Sequence, residues 1–177
     1  MKKYFLTLFL FVASCVLFAQ QNIMKTEDLF KVNILNPGAT YEKSLNKNAT
    51  LCLDANLSFG LAINNNNSTF LTAPYLRGQY RYYYNFDKRI SKGKDVSRNS
   101  GNFIALNTSY YFKPLGNDVY ISNYDELTVG GVWGFQKTYK SGFNLSAIAG
   151  LGNNFSSQQA HKVVPILNFT VSWVIGK

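Results

Sequence analysis

Residue types that do chemistry are thinly spread through this sequence. Its one histidine, His161, lies in the polar stretch Asn153 to Lys162 with Ser156 and Ser157 nearby. A serine nucleophile needs a base within hydrogen-bond reach and a third group to orient that base. A loop histidine beside two loop serines meets only part of that requirement, so no catalytic residue is assigned. His, Cys and carboxylate side chains do not cluster at ligand spacing, so no metal and no cofactor is expected. The charges that do follow a pattern are Glu42, Asp54, Arg77 and Arg81. Each falls on the polar side of an alternating segment, and two carboxylates facing two guanidiniums in an enclosed space would pair, because an unpaired buried charge is costly. The planar fork of Arg suits a carboxylate.

The segment that sets the pattern is Ala49 to Ile63. Leu51, Leu53, Ala55, Leu57, Phe59, Leu61 and Ile63 are apolar, while Cys52, Asp54, Asn56, Ser58, Gly60 and Ala62 between them are polar or small. Side chains alternate across a strand, so the period predicts a long strand with one apolar and one polar face. The pattern recurs at Thr69 to Tyr84, Asn102 to Phe112, Leu127 to Gln136, Phe143 to Gly152 and Val163 to Ile175. With Lys31 to Lys43 that makes seven strands. Val32 and Ile34 place the apolar face on even positions, whereas Ala39 and Tyr41 place it on odd ones. The phase breaks at Asn36-Pro37-Gly38, which predicts a bulge or turn there. Bacterial single-chain barrels have an even number of strands, so an eighth is expected. Phe30 to Asn36 pairing with Ala39 to Lys43 supplies it better than Val119 to Ile121 does. Ser44 to Asn48, Asn64 to Ser68 and Tyr139 to Gly142 read as turns, and Phe86 to Gly101, rich in Lys and Arg, reads as a mobile polar loop.

Strands at regular spacing without helical periodicity predict an all-β chain, a closed antiparallel up-and-down barrel of about eight strands. Alternation does not say which face points inward. Polar faces of Gly, Ser, Thr and Asn suit a narrow lumen better than a solvated exterior, which would carry more Lys and Glu. Aromatic residues gather toward strand ends, with Tyr41, Tyr82, Tyr84, Tyr139 and Trp173 as the expected girdle at a membrane boundary. The apolar faces are therefore expected to meet lipid, and Glu42, Asp54, Arg77 and Arg81 to form a charge cluster in the lumen. Eight strands leave room for little more than side chains inside, so the cluster is expected to plug the barrel.

Residues 1–20 show a basic start, an apolar run from Phe5 to Phe18 and then Ala19-Gln20, the layout of a secretory signal peptide. The run Val12-Ala13-Ser14-Cys15 also resembles a lipoprotein box, although apolar residues continue past Cys15. Residues 21–30 form a lead-in, and 31–177 the barrel. Removing Lys2 and Lys3 with the leader lowers the net charge from +9 to +7. Export makes nucleic acid an improbable partner for that charge and leaves membrane lipid. Cys52 is then the sole cysteine, so no internal disulfide is expected.

Lys31 to Gly38, Tyr41-Glu42-Lys43, Tyr75 to Tyr83, Gly130 to Gln136 and Lys140 to Phe143 together resemble the small outer-membrane β-barrel proteins of unknown function, DUF3575-like and of the OmpA/OmpX barrel type, found in Gram-negative bacteria. The likeness spans nearly all of the chain after the leader and is carried by structural motifs. It implies a barrel of about eight strands with no known catalytic residues to carry over. The chain is expected to be a monomeric outer-membrane barrel, with outer-membrane lipids as partners and a structural or loop-mediated binding role. A soluble exported barrel of lipocalin type, with a hydrophobic ligand inside, is the alternative that the alternation leaves open. A lipid-modifying barrel enzyme using His161 is the third.

Overall fold

The computed structural model describes residues 26–64, 67–115, 125–156 and 162–175. The leader, Cys15, Val119 to Ile121, Ser157 and His161 lie outside the described residues.

Eight strands follow one another: β1 (Leu29–Asn33), β2 (Gly38–Asn46), β3 (Ala49–Asn64), β4 (Asn67–Tyr82), β5 (Gly101–Tyr111), β6 (Glu126–Thr138), β7 (Phe143–Ser156) and β8 (Lys162–Ile175). Each pairs antiparallel with the next, and β8 returns to β1 through Phe30 opposite Ile175 and Asn33 opposite Ser172, which closes the barrel. Closure removes the two open edges that a sheet of this size would otherwise expose. The phase break at Asn36-Pro37-Gly38 marks a hairpin: residues 34–37 turn the chain between β1 and β2, and the expected extra strand is β1.

Alternation along the strands sorts the side chains as their pattern predicts, with the polar face inside. Among the described residues, twenty-four buried side chains are polar or charged and eleven are apolar, the reverse of a water-soluble core. The large apolar side chains stand on the outside: Leu106 is 60% exposed, Leu151 63% and Leu167 76%. Leu53 and Trp133 share that outer face, while Arg77 and Arg81 are buried in the interior.

The two mouths differ. At one lie the start of β1 and the end of β8, the tight connections 47–48 and 139–142, and residues 83–100 between β4 and β5. This last segment is a folded cap and not the mobile loop that its composition suggests. It contains α1 (Phe86–Ser91) and a 3-10 turn (Ser97–Asn99). Phe86 inserts into the mouth and stacks on Tyr83, with ring centroids 4.6 Å apart, while Phe103 closes on the same ring at 5.4 Å. Ala105, Val132 and Ile148 complete this apolar cluster inside an otherwise polar lumen. At the other mouth β3 and β4 outrun their neighbours. Pairing of β2 with β3 ends at Gly38 opposite Asn56, and that of β4 with β5 ends at Tyr75 opposite Tyr111, yet β3 and β4 continue together to Asn64 opposite Asn67. A two-stranded ribbon therefore projects beyond the wall. On the opposite flank β1 covers only the last part of β8. Its register ends at Asn33 opposite Ser172, followed by one bond from the Ile34 N–H to the Val171 carbonyl.

Close approach of β6 and β7 depends on glycine. A Cβ on Gly150 would lie 2.1 Å from the Gly131 carbonyl oxygen and 2.7 Å from the Val132 Cα, both backbone atoms of the neighbouring strand. At Gly131, on the outer face, a Cβ would meet nothing within 4 Å. Gly150→Ala is expected to destabilise the barrel by about 1–3 kcal/mol through overpacking, read as a lower urea midpoint of the folded form. Gly131→Ala should leave that midpoint unchanged or raised, and equal loss in both variants would contradict the register described here.

Candidate functional site: a polar lumen closed at one end

The four charged residues picked from the alternating pattern all reach the lumen. Glu42 on β2 is wholly buried (0% exposed), with Arg81 at 3% and Arg77 at 7% on β4, and Asp54 buried on β3. They form two centres instead of one. Nearer the capped mouth, the Glu42 carboxylate receives Lys31 Nζ at 2.8 Å, Thr50 Oγ1 at 2.9 Å and the Tyr83 hydroxyl at 2.7 Å. Gln136 Nε2 donates to it at 3.2 Å, and Arg81 Nη1 stands 3.6 Å away. Arg81 is held by further acceptors: its Nη1 donates to Gln136 Oε1 at 3.1 Å and its Nε to Gln79 Oε1 at 2.8 Å. Its guanidinium also lies over the Phe103 ring, 4.7 Å from the centroid. Gln79 passes the chain on to Asn107 at 2.8 Å, and Asn107 to Ser109 at 3.1 Å.

Deeper toward the other mouth, Arg77 Nε donates to Asp54 Oδ2 at 2.8 Å, and its Nη1 reaches across the lumen to Asn168 Oδ1 on β8 at 2.9 Å. The Thr40 hydroxyl also donates to Asp54. Asn33 donates to Thr40 and to Asn56, and Asn56 to the Tyr75 hydroxyl. A third, uncharged knot joins Ser172, Asn144 and Thr138. Every strand except β7 thus contributes to the charged centres or the chain running from them, β8 through Asn168.

Lys31, Gln136 and Tyr83 belong to the first centre and were missed by the sequence reading. Lys31 was legible: with Val32 on the outer face, its neighbour must point inward. Tyr83 was not, because it follows the last residue of β4, where strand alternation no longer dictates direction. The lumen therefore holds three cations and two carboxylates among the described residues, and Glu42 serves two of the cations.

The cap seals the first centre from its own end. Asn99 exchanges hydrogen bonds with the backbone of Glu27 at 2.7 and 2.8 Å, and the Arg98 N–H donates to Glu27 Oε1 at 2.7 Å. Both Arg98 and Asn99 adopt left-handed backbone angles, φ 49° and 56°. That conformation is costly for non-glycine residues, and these bonds, with those from Thr138 and Gln136 to the Arg98 and Asn99 carbonyls, hold it in place. Within the cap, hydrogen bonds from Ser97 keep the Asp95 carboxyl below the usual carboxylate range. Toward the opposite mouth, among the described residues, a polar cavity of about 250 Å³ leads down past Glu126, Thr128, Asn154 and Ser109 to Arg77 and Asn168. The Arg77–Asp54 pair is its floor.

On the outside, the expected girdle residues are all exposed. Tyr82, Tyr84, Tyr139 and Trp173 lie toward the capped mouth, where Tyr139, Phe143 and Trp173 make a continuous ring contact at 5.9 and 6.4 Å. The Trp133 indole donates to the Tyr84 hydroxyl at 2.8 Å. Tyr41 sits further into the apolar belt, opposite Leu53 and Phe30. Toward the opposite mouth Tyr110 packs edge-on against Phe112, centroids 4.9 Å apart.

No family model, curated protein or solved structure matches this chain. Breaking the first centre should be severe. Glu42→Ala leaves Lys31 and Arg81 without their shared carboxylate and is expected to cost about 3–5 kcal/mol, the range for removing one partner of a buried ion pair. Asp54→Ala should cost less, because Arg77 keeps Asn168 and stands at the polar cavity. Urea titration of the folded form, followed by tryptophan fluorescence, ranks the two, and the reverse order would refute this division of the lumen.

Proposed function

We propose that this chain is an outer-membrane β-barrel protein that acts as a monomer, with a plugged lumen and a structural or loop-mediated binding role at the mouth opposite the cap. The observation that carries the reading is the inverted distribution of side chains. A belt of Leu, Ile, Val and aromatic residues covers the outside, and hydrogen-bonded polar and charged residues fill the inside. In lipid every backbone polar group must be satisfied within the protein, and a closed barrel is one of the two structures that achieves this. Strands β3 to β8 have 11 to 16 residues, enough for the roughly 9–11 that a tilted strand needs to cross. Aromatic rings at both rims fit the two water boundaries.

A lipocalin-type carrier would need an apolar lumen to hold a hydrophobic ligand. The lumen described here is lined by carboxylates, guanidiniums and amides, which weighs against that alternative. Conduction is disfavoured by the same residues, since Glu42, Arg81, Gln136 and the cap residue Phe86 block the path to the capped mouth. The candidate binding surface is the cavity above Arg77 with the projecting β3–β4 ribbon beside it.

Cells expressing the chain should retain it in the outer-membrane fraction after a carbonate wash, and the purified protein should migrate faster on a gel unheated than boiled. Release into the soluble fraction would sink the proposal. Leu106→Arg, at an outward position in mid-belt, should destabilise the protein in bilayers by about 2–4 kcal/mol, whereas a soluble barrel would tolerate an arginine on that exposed face.

A further inference from the structure

On the outer wall of β4, β5 and β6 two cavities lie end to end along the same strands. The first is apolar, about 430 Å³, and is framed by Tyr80, Tyr82, Ile104, Leu106, Gly131 and Trp133. Its depth comes from Gly131, which stands opposite Leu106 in the ladder. No atom within 4 Å would obstruct a side chain there, so the backbone does not require glycine at this position. What glycine does is leave a furrow between Leu106 and Trp133. The second cavity, about 450 Å³, lies just beyond, toward the capped mouth, and is framed by Tyr84, Lys88, Arg89, Lys92, Lys94 and Asn102. The hydrogen bond from Trp133 of the first cavity to Tyr84 of the second joins the two.

The basic cavity is short of anions. Among the described residues none of Lys88, Lys92 and Lys94 has an ion pair, and all three are exposed. The Asp95 carboxylate accepts from the Ser97 N–H at 2.8 Å and stands 4.0 Å from Lys137 Nζ, with Arg89 also within its electrostatic reach, which leaves Lys88, Lys92 and Lys94 as the cations without an ion pair. Arg89 uses one terminal nitrogen on the Asp95 carbonyl, while its Nε–H is shielded from solvent and meets no acceptor among the described residues. A buried N–H without an acceptor is costly, and a phosphate oxygen would satisfy it.

We propose that this wall is a binding site for one anionic glycerophospholipid, with its phosphate among Lys88, Arg89, Lys92 and Lys94 and an acyl chain laid in the furrow at Gly131. The proposal rests on the membrane reading above and adds a lipid class and a place. Geometry requires both parts: a phosphate held at the rim by cations, and a hydrocarbon chain descending along the belt. Cationic side chains near a bilayer surface attract anionic lipid. Lys47 and Lys140 are also exposed at this rim, but of the two apolar furrows found on the outer wall among the described residues, at Gly131 and at Gly78, the one at Gly131 lies beside a cluster of four cations. That predicts a fixed lipid in place of a diffuse annulus.

Native mass spectrometry of the full barrel released from a neutral detergent tests it, with phosphatidylglycerol and phosphatidylcholine titrated separately and inorganic phosphate as a competitor. One phosphatidylglycerol should bind at least tenfold more tightly than phosphatidylcholine, and millimolar phosphate should not displace it. Lys88→Gln with Lys92→Gln and Lys94→Gln should erase the preference. Gly131→Leu should weaken phosphatidylglycerol binding while leaving heat-modifiable migration intact. Equal binding of the two lipids, preference surviving the triple variant, displacement by inorganic phosphate, or a dimer that Gly131→Leu dissolves would each overturn the site. Any of these in a protein that still withstands a carbonate wash leaves the membrane reading standing. Release in that wash overturns both.

Discussion

Glu42 has no contact with solvent, and a carboxylate in that position is tolerable only because Lys31, Thr50, Tyr83 and Gln136 all donate to it with Arg81 close by. Those donors come from β1, β3, β4, β6 and the residue after β4, so the carboxylate ties together strands far apart in the chain. Replacing such a centre by apolar side chains is often neutral in a soluble protein. In this barrel the apolar side chains are on the outside, and the interior is where polar groups must find one another. Register follows from the same requirement. A one-residue slip of β2 would turn Glu42 outward into the apolar belt and bring Tyr41 into the lumen.

The cap depends on that centre as well. Tyr83 donates to Glu42 and stacks on Phe86, so one ring joins the polar network below to the apolar cluster above. Phe103 is shared in the same way, with the Arg81 guanidinium on one side and Tyr83 on the other. The loop is basic at its surface while Phe86 is turned wholly in, although Ile90 on the same helix stays exposed. Composition averaged over the loop conceals the one residue that orders it.

The two ends of the molecule consequently have different chemistry. The capped end is densely hydrogen-bonded, ringed by Tyr and Trp, and basic at its rim, with Lys47, Lys88, Lys92, Lys94 and Lys140 exposed. Toward the other end the described residues frame a polar cavity floored by Arg77 and Asp54, with a ribbon of β3 and β4 extending past it.

The strands and the sorting of each into an apolar and a polar face were determined by the sequence alone, because side-chain period in a strand is two and needs no knowledge of partners. The phase change across Asn36-Pro37-Gly38 even located β1. The pairing of Arg77 with Asp54 was legible from strand phase and charge. Three things were decided only in three dimensions. That Glu42 would gather two cations, Lys31 and Arg81, follows from how far β1, β2 and β4 are staggered around the closed wall, which alternation does not encode. The folded cap depends on Phe86 finding the Tyr83 and Phe103 rings, contacts made only once β4 and β5 are held side by side. The neighbouring furrow and basic cavity bring Gly131 beside four cations about forty residues earlier in the sequence, and the pairing of β5 with β6 sets them on one wall.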